Sequence, residues 1–305
     1  MRKQFAKTMQ ELGKDERLTV LIGDISHFLL KDFEATHPKR FYNMGVAEQA
    51  MMSMAAGLAM DGLIPVVHSI TPFVTERCFE QIKDDLCYQN LGVKIVSVGS
   101  AFDYASLGCT HHCYEDIAIL RSLPNMQVVY PAAPHEFDAL FRETFTNGSP
   151  TYFRLPAKTH NIQTHPRFGE AEKIKSGKDV TVVAIGPQLQ NAFDAAEELS
   201  RHGVGCDLIY LTTIKPVSAV SQKMIRESLE KTEALVTIEE HSIIGGVADV
   251  VAAIGRGIRY DEARLGVRDM FLTNYGTYDE HCAVNGLTKE GIIKAVHEIK
   301  PKNNL

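Results

Sequence analysis

Gly45-Val46-Ala47-Glu48-Gln49-Ala50 leads into Ala55-Ala56-Gly57-Leu58-Ala59, and the chain then passes Gly62 into Ile64-Pro65-Val66-Val67. Residues 48–60 are rich in Ala, Met and Leu, which reads as a buried helix closing near Gly62. The apolar run after it reads as a strand covered on both faces. Upstream, Leu18-Thr19-Val20-Leu21-Ile22 is another such run, ending at Gly23-Asp24. Strands alternating with helices of this length predict a mainly parallel sheet with helices on both sides.

The alternation continues outward from this stretch. Residues 73–86 are helical in character. Residues 93–98 form a third strand, and residues 126–130 a fourth, stopped by Pro131. Residues 157–178 break the rhythm, with Pro166, Gly169 and little apolar periodicity, so a linker is placed at 166–177. A second α/β unit follows, with strands at 180–185, 205–211 and 234–238 and helices at 190–202, 243–255 and 288–299. The expected fold class is α/β, as two three-layer domains, residues 1–165 and 178–305.

Composition agrees with that size. The chain has 305 residues, 45% of them hydrophobic, enough for two buried cores. The net charge is −6, and no Lys/Arg stripe marks a nucleic-acid partner. No apolar run approaches the roughly 20 residues that span a bilayer, and Met1-Arg2-Lys3-Gln4-Phe5 turns polar too soon for a secretory signal. Six scattered cysteines fit reduced thiols and a cytoplasmic location better than a disulfide framework.

Two places carry candidate chemistry. Glu48 enters an apolar helix, where a lone carboxylate is costly to bury unless something pairs with it. The ordinary alternative is a first-turn residue favoured by the helix dipole. Gly108-Cys109-Thr110-His111-His112-Cys113 packs two cysteines and two histidines together, which invites a zinc reading. Structural zinc sites join two separated ligand pairs, and no second pair matches here. No metal ligand is assigned to this chain.

Gly45-x-Ala47-Glu48-Gln49, the small-residue helix and Gly62-x-x-Pro65-Val66-Val67 together resemble the pyrimidine-binding domain of transketolases and their relatives. The resemblance continues through Thr71-Pro72-Phe73, Arg77-x-Phe79-Glu80-Gln81-Ile82, Ile117-Ala118 and Pro124-Asn125-Met126. Residues 178–305 resemble the family's C-terminal domain, through Ile238-Glu239-Glu240-His241 and Gly245-Gly246. The motifs are individually weak and specific together, and they cover nearly the whole chain.

The resemblance implies a thiamine-diphosphate enzyme. Glu48 would contact a ring nitrogen of the cofactor aminopyrimidine and favour its imino tautomer, a catalytic role. Phe73 would stack on that ring, with Phe79 competing for the assignment, and Arg77 and Asp24 would join the cofactor-binding set. Gly108-x-Thr110-His111 matches the family's Gly-x-Thr-His loop, so His111 would handle substrate oxygens or protons. Arg154 and Arg2 match arginines that bind the sugar phosphate, for which a guanidinium fork is suited. The plain alternatives are helix packing for Phe73, a turn or cap for Asp24, and surface salt bridges for the two arginines.

What is missing is equally informative. The family holds the cofactor diphosphate through Mg²⁺ on a domain with a Gly-Asp-Gly motif, which this chain lacks. The implied partner is a separate N-terminal subunit carrying that domain, in an α2β2 assembly. The expected activity is transfer of a two-carbon ketol unit from an anionic ketose to an aldose, by a complex active only with both subunits. Leu107 stands where the family has an Asp near a donor hydroxyl, and Gly99 where it has a second histidine. Asp103 and Tyr104 are candidate replacement contacts, so a modified sugar or a different donor is expected. The rival readings are a deoxyxylulose-phosphate synthase-like enzyme, a 2-oxoacid dehydrogenase β subunit, and a non-catalytic homologue serving as a structural subunit.

Overall fold

The structure, a computed structural model, describes residues 1–300. Six strands lie in the first half: β1 (Leu18–Ile22), β2 (Phe41–Asn43), β3 (Ile64–Ile70), β4 (Lys94–Val98), β5 (Gln127–Val129) and β6 (Thr151–Leu155). Six more follow: β7 (Ala171–Lys175), β8 (Val180–Ile185), β9 (Cys206–Leu211), β10 (Thr213–Lys215), β11 (Ala234–Ser242) and β12 (Asp261–Val267). They build a seven-stranded sheet, β10-β5-β6-β4-β3-β1-β2, and a five-stranded sheet, β12-β11-β8-β9-β7. Pairing is parallel except for β10 on β5 and β7 on β9.

The predicted α/β architecture is the one observed. β1, β4, β6, β8 and β9 are buried along their whole length, as strands covered on both faces must be. One apolar cluster takes in Leu21, Met51, Val67 and Ile95 from the first half and Ile185, Ile209 and Leu235 from the second. The two halves therefore share a core.

Three differences from the sequence expectation have physical causes. The stretch 166–177, read as a linker, contains β7, whose Glu172, Lys173 and Lys175 give it the polar look of an edge strand. β12 is the opposite edge and equally charged. β10 follows β9 after one residue but pairs with β5 in the first sheet, Thr213 opposite Val129. The expected helix over 73–86 is broken into Thr71–Val74, Phe79–Gln81 and a π-helical turn Ile82–Cys87. The Thr75 hydroxyl donates to the Thr71 carbonyl at 2.6 Å, and the Cys78 thiol to the Phe73 carbonyl at 3.2 Å. Side chains that bond nearby carbonyls in this way compete with helical pairing.

The strand order places the site. From β1 the chain moves to β2 on one side and then returns to β3 on the other. The connections diverge at the carboxyl ends of β1 and β3, the point where open α/β sheets leave a crevice for ligands.

Candidate active site

Glu48 is the first residue of the helix Glu48–Met60 and is only 2% exposed. Its carboxylate points across the crevice to Arg77, with Nη1 2.8 Å from Oε2. The Ser69 hydroxyl, at the end of β3, donates to Oε1 at a long 3.4 Å. The pairing that burial of this carboxylate demands is thus supplied by Arg77. The helix dipole adds favourable charge at the same place.

Gly23, just past β1, packs against Ser69 beside this carboxylate, with no space for a side chain. A Cβ added there would stand 2.9 Å from Ser69 Oγ and 3.5 Å from Glu48 Cγ. Phe73 forms the next wall. The Arg77 guanidinium lies 4.4 Å from its ring centroid, and the His111 ring meets it edge-on at 5.2 Å. His111 Nδ1 is 2.9 Å from the Thr110 hydroxyl. Glu48, Arg77, Phe73 and His111 therefore form one continuous line of contacts, although they come from three separate segments.

Asp24 is exposed and sits at φ 60°, a left-handed turn that Asp tolerates. Its backbone N–H donates to Asn43 Oδ1, and its Oδ1 accepts from Asn43 Nδ2, both at 3.1 Å. Asn43 also accepts from the Gly45 N–H, so it ties the end of β1 to the Gly45-Val46-Ala47-Glu48 turn. Phe79 is half-buried and packs against the shared core, whereas Phe73 has Arg77 and His111 as its ring neighbours.

Residues 1–161 match the family model described as transketolase, pyrimidine binding domain, and residues 169–292 match transketolase, C-terminal domain. The chain belongs to the transketolase family. A putative transketolase C-terminal section of Methanocaldococcus jannaschii is 34% identical over 98% of the chain and 95% of that protein. The 6-deoxy-6-sulfo-D-fructose transketolase subunit SqwH of Clostridium sp. is 34% identical over 95% of the chain and 91% of that protein. A solved structure titled split gene transketolase, inactive beta4 tetramer, superposes with a TM-score of 0.88 at 33% identity. It covers 98% of this chain and 97% of that one. The chain is a C-terminal subunit of a transketolase-type transferase, and the pyrimidine-binding domain it carries implies thiamine diphosphate chemistry.

The two arginines of this transketolase subunit lie in very different places. Arg154 is fully buried. Its Nε donates to Asp116 Oδ2 at 2.8 Å, and Nη2 donates to the Cys113 and Glu240 carbonyls. Its guanidinium lies 4.5 Å from the centre of the Tyr130 ring. It is therefore neither the surface salt bridge that the plain alternative supposed nor a group open to a phosphate. It cross-links the two domains. Arg2 opens the N-terminal helix and donates to the Tyr104 hydroxyl. A cleft of about 670 Å³ beside it is lined by Arg2, Lys3, Lys7, Asp103, Tyr104 and Pro156, among others.

The residues 109–113 are divided among separate surroundings. The Cys113 thiol donates to Glu76 Oε1 at 3.3 Å, Cys109 is exposed, and His112 is buried edge-on to His281 at 5.1 Å. Asn43, Ser69 and His68 are site neighbours that sequence reasoning missed. His68 is buried between the Val96 carbonyl (2.7 Å) and the Ser26 hydroxyl (3.0 Å), and burial pushes its pKa down to about 4. A neutral ring thus braces β3 against β4. None of the three stands in a distinctive motif, so no sequence signal marks them.

Proposed function

We propose that this chain is the pyrimidine-side half of a two-subunit, thiamine-diphosphate-dependent transketolase that moves a ketol unit from an anionic ketose to an aldose. The observation that carries the reading is the Glu48 carboxylate, buried at the switch point and paired with Arg77, whose guanidinium lies against the Phe73 ring. An aminopyrimidine fits this donor set: a carboxylate for its ring nitrogen and an aromatic face for its plane. Bound thiamine diphosphate supplies the electron sink for breaking the ketose C2–C3 bond.

The chain's own residues do the rest. Glu48 exchanges a proton with the pyrimidine ring nitrogen. Arg77 holds Glu48 in place, and Phe73 and the β3 end keep water from that side. His111, at the mouth of the crevice, donates to or accepts from substrate oxygens. Arg2 faces the anionic tail, while Arg154 positions the His111 loop from within through the Cys113 carbonyl. Mg²⁺ and the diphosphate belong to a partner N-terminal subunit, since this chain has no Gly-Asp-Gly motif. An α2β2 assembly in the cytoplasm is the proposed setting, in keeping with the six free cysteines. The Thr110-His111 pair favours transketolase over a 2-oxoacid dehydrogenase β subunit.

Calorimetric titration of thiamine diphosphate with Mg²⁺ tests the reading, first on this chain alone and then with the N-terminal subunit added. Binding only in the mixture, with ketol transfer in the same sample, is the expected result. Tight Mg²⁺-dependent binding by this chain alone would overturn the split site.

A further inference from the structure

Gly99 follows β4 at φ 75°, and a Cβ built on it would collide with the ring of Tyr104. The tyrosine thus occupies the space that a side chain at position 99 would need. Its ring meets His111 edge-on at 6.1 Å on one flank. On the other, its hydroxyl accepts from Arg2 Nη2, and the guanidinium carbon lies 5.9 Å from the ring centroid. Tyr104 therefore touches both the proposed substrate histidine and the cationic cleft.

Arg2 needs such a tether. It stands half-buried in the first turn of its helix, with the Tyr104 hydroxyl as its hydrogen-bond acceptor. Lys3 and Lys7 stand on the same helix and line the same cleft; Lys7 has Glu11 at 3.9 Å, and the first turn holds no acidic residue to offset Arg2 and Lys3. Cations at a helix N-terminus are unfavourable unless an anion is near. Three cationic side chains gathered on one cleft wall suit a tetrahedral oxyanion.

We infer that Tyr104 is a positioning residue that sets donor selectivity. It fixes Arg2 toward the cleft and walls the passage from His111, so that the site takes ketoses ending in a phosphate or sulfonate. The inference rests on the transketolase reading and adds the residue that orients Arg2. No covalent step involves Tyr104.

The test uses the reconstituted two-subunit complex with wild-type, Tyr104→Phe and Tyr104→Ala chains. The donors are D-fructose 6-phosphate, 6-deoxy-6-sulfo-D-fructose and uncharged L-erythrulose. Tyr104→Ala should raise KM for one or both anionic donors about tenfold, the equivalent of losing one hydrogen bond to a charged group. The rise in KM for L-erythrulose should be at least about fivefold smaller, since that donor has no anionic end for the tethered arginine to meet. Tyr104→Phe keeps the ring and should fall between. Equal effects on all three donors, or no effect, would overturn the assignment. Calorimetric titration of the anionic sugars reads binding without turnover. A wild-type complex that binds them, and binds them more weakly after Tyr104→Ala, but cleaves none sustains Tyr104 and sinks the transketolase reading. A wild-type complex that binds neither anionic sugar sinks the substrate class.

Discussion

Arg77 Nη1 lies 2.8 Å from Glu48 Oε2, and the same guanidinium lies 4.4 Å from the centre of the Phe73 ring. One side chain thus couples the carboxylate and the aromatic that the proposed cofactor site needs. The pair is asymmetric: the Glu48 side chain is 2% exposed and that of Arg77 42%. Arg77 reaches the crevice because the helix breaks after Val74 and turns its side chain back.

Removing the arginine leaves a buried carboxylate short of its partner. Arg77→Ala should destabilise the chain by about 1 kcal/mol, less than a fully buried pair would cost because water already reaches the guanidinium. The urea midpoint measures this. Glu48→Gln keeps the shape and removes the proton acceptor. Ketol transfer by the reconstituted complex should fall about 100-fold or more, with the melting temperature little changed. Unchanged activity would remove Glu48 from the mechanism.

Gly23 is predicted to matter for space alone. Gly23→Ala puts a methyl 2.9 Å from Ser69 Oγ, which forces that hydroxyl to rotate off Glu48. Thiamine diphosphate affinity of the complex should drop, and Gly23→Val should lower it further. A fluorescence titration of the cofactor distinguishes this from a folding defect, which circular dichroism would report.

Arg154 should behave as a structural residue. Arg154→Met leaves Asp116 buried without its cation and should cost about 3–5 kcal/mol. Asp116→Asn in the same chain should recover part of the loss. If Arg154→Met left stability intact and raised only KM for anionic donors, direct phosphate binding by Arg154 would be restored as the explanation.

Asp103 lines the cleft, and burial, helped by the Glu240 charge, pushes its carboxyl up to about 7. The folded chain therefore holds this proton more tightly than the unfolded chain does. The stability it contributes is complete below the ordinary Asp value and is lost as pH rises through about 7. Asp103→Asn should be close to neutral at pH ~4 and increasingly stabilising toward pH ~8. Denaturant midpoints across that range check the sign.

Much of the fold was legible in apolar runs. Leu18–Ile22 and Val180–Ile185 are strands with the predicted limits, because a run buried on both faces needs no partner information to be recognised. β2 and β10 are three residues each, and β7 and β12 carry edge charges, so hydropathy is silent about them. At the site, Glu48 stood out as a carboxylate in an apolar helix. Its partner did not, since Arg77 is an ordinary arginine in any linear reading.

The sequence by itself determined two α/β units, the family they resemble and a suspect carboxylate, since burial follows from local composition. Only the tertiary structure decided which charges meet. Arg77 and Glu48 are 29 positions apart, Arg154 and Asp116 38, and Arg2 and Tyr104 102. Ion pairing and steric filling depend on distance through space, and that distance is set by how the sheets stack the segments. The same folding buried Arg154, which the sequence had offered as a ligand contact, and brought Tyr104 over Gly99 to stand between His111 and Arg2.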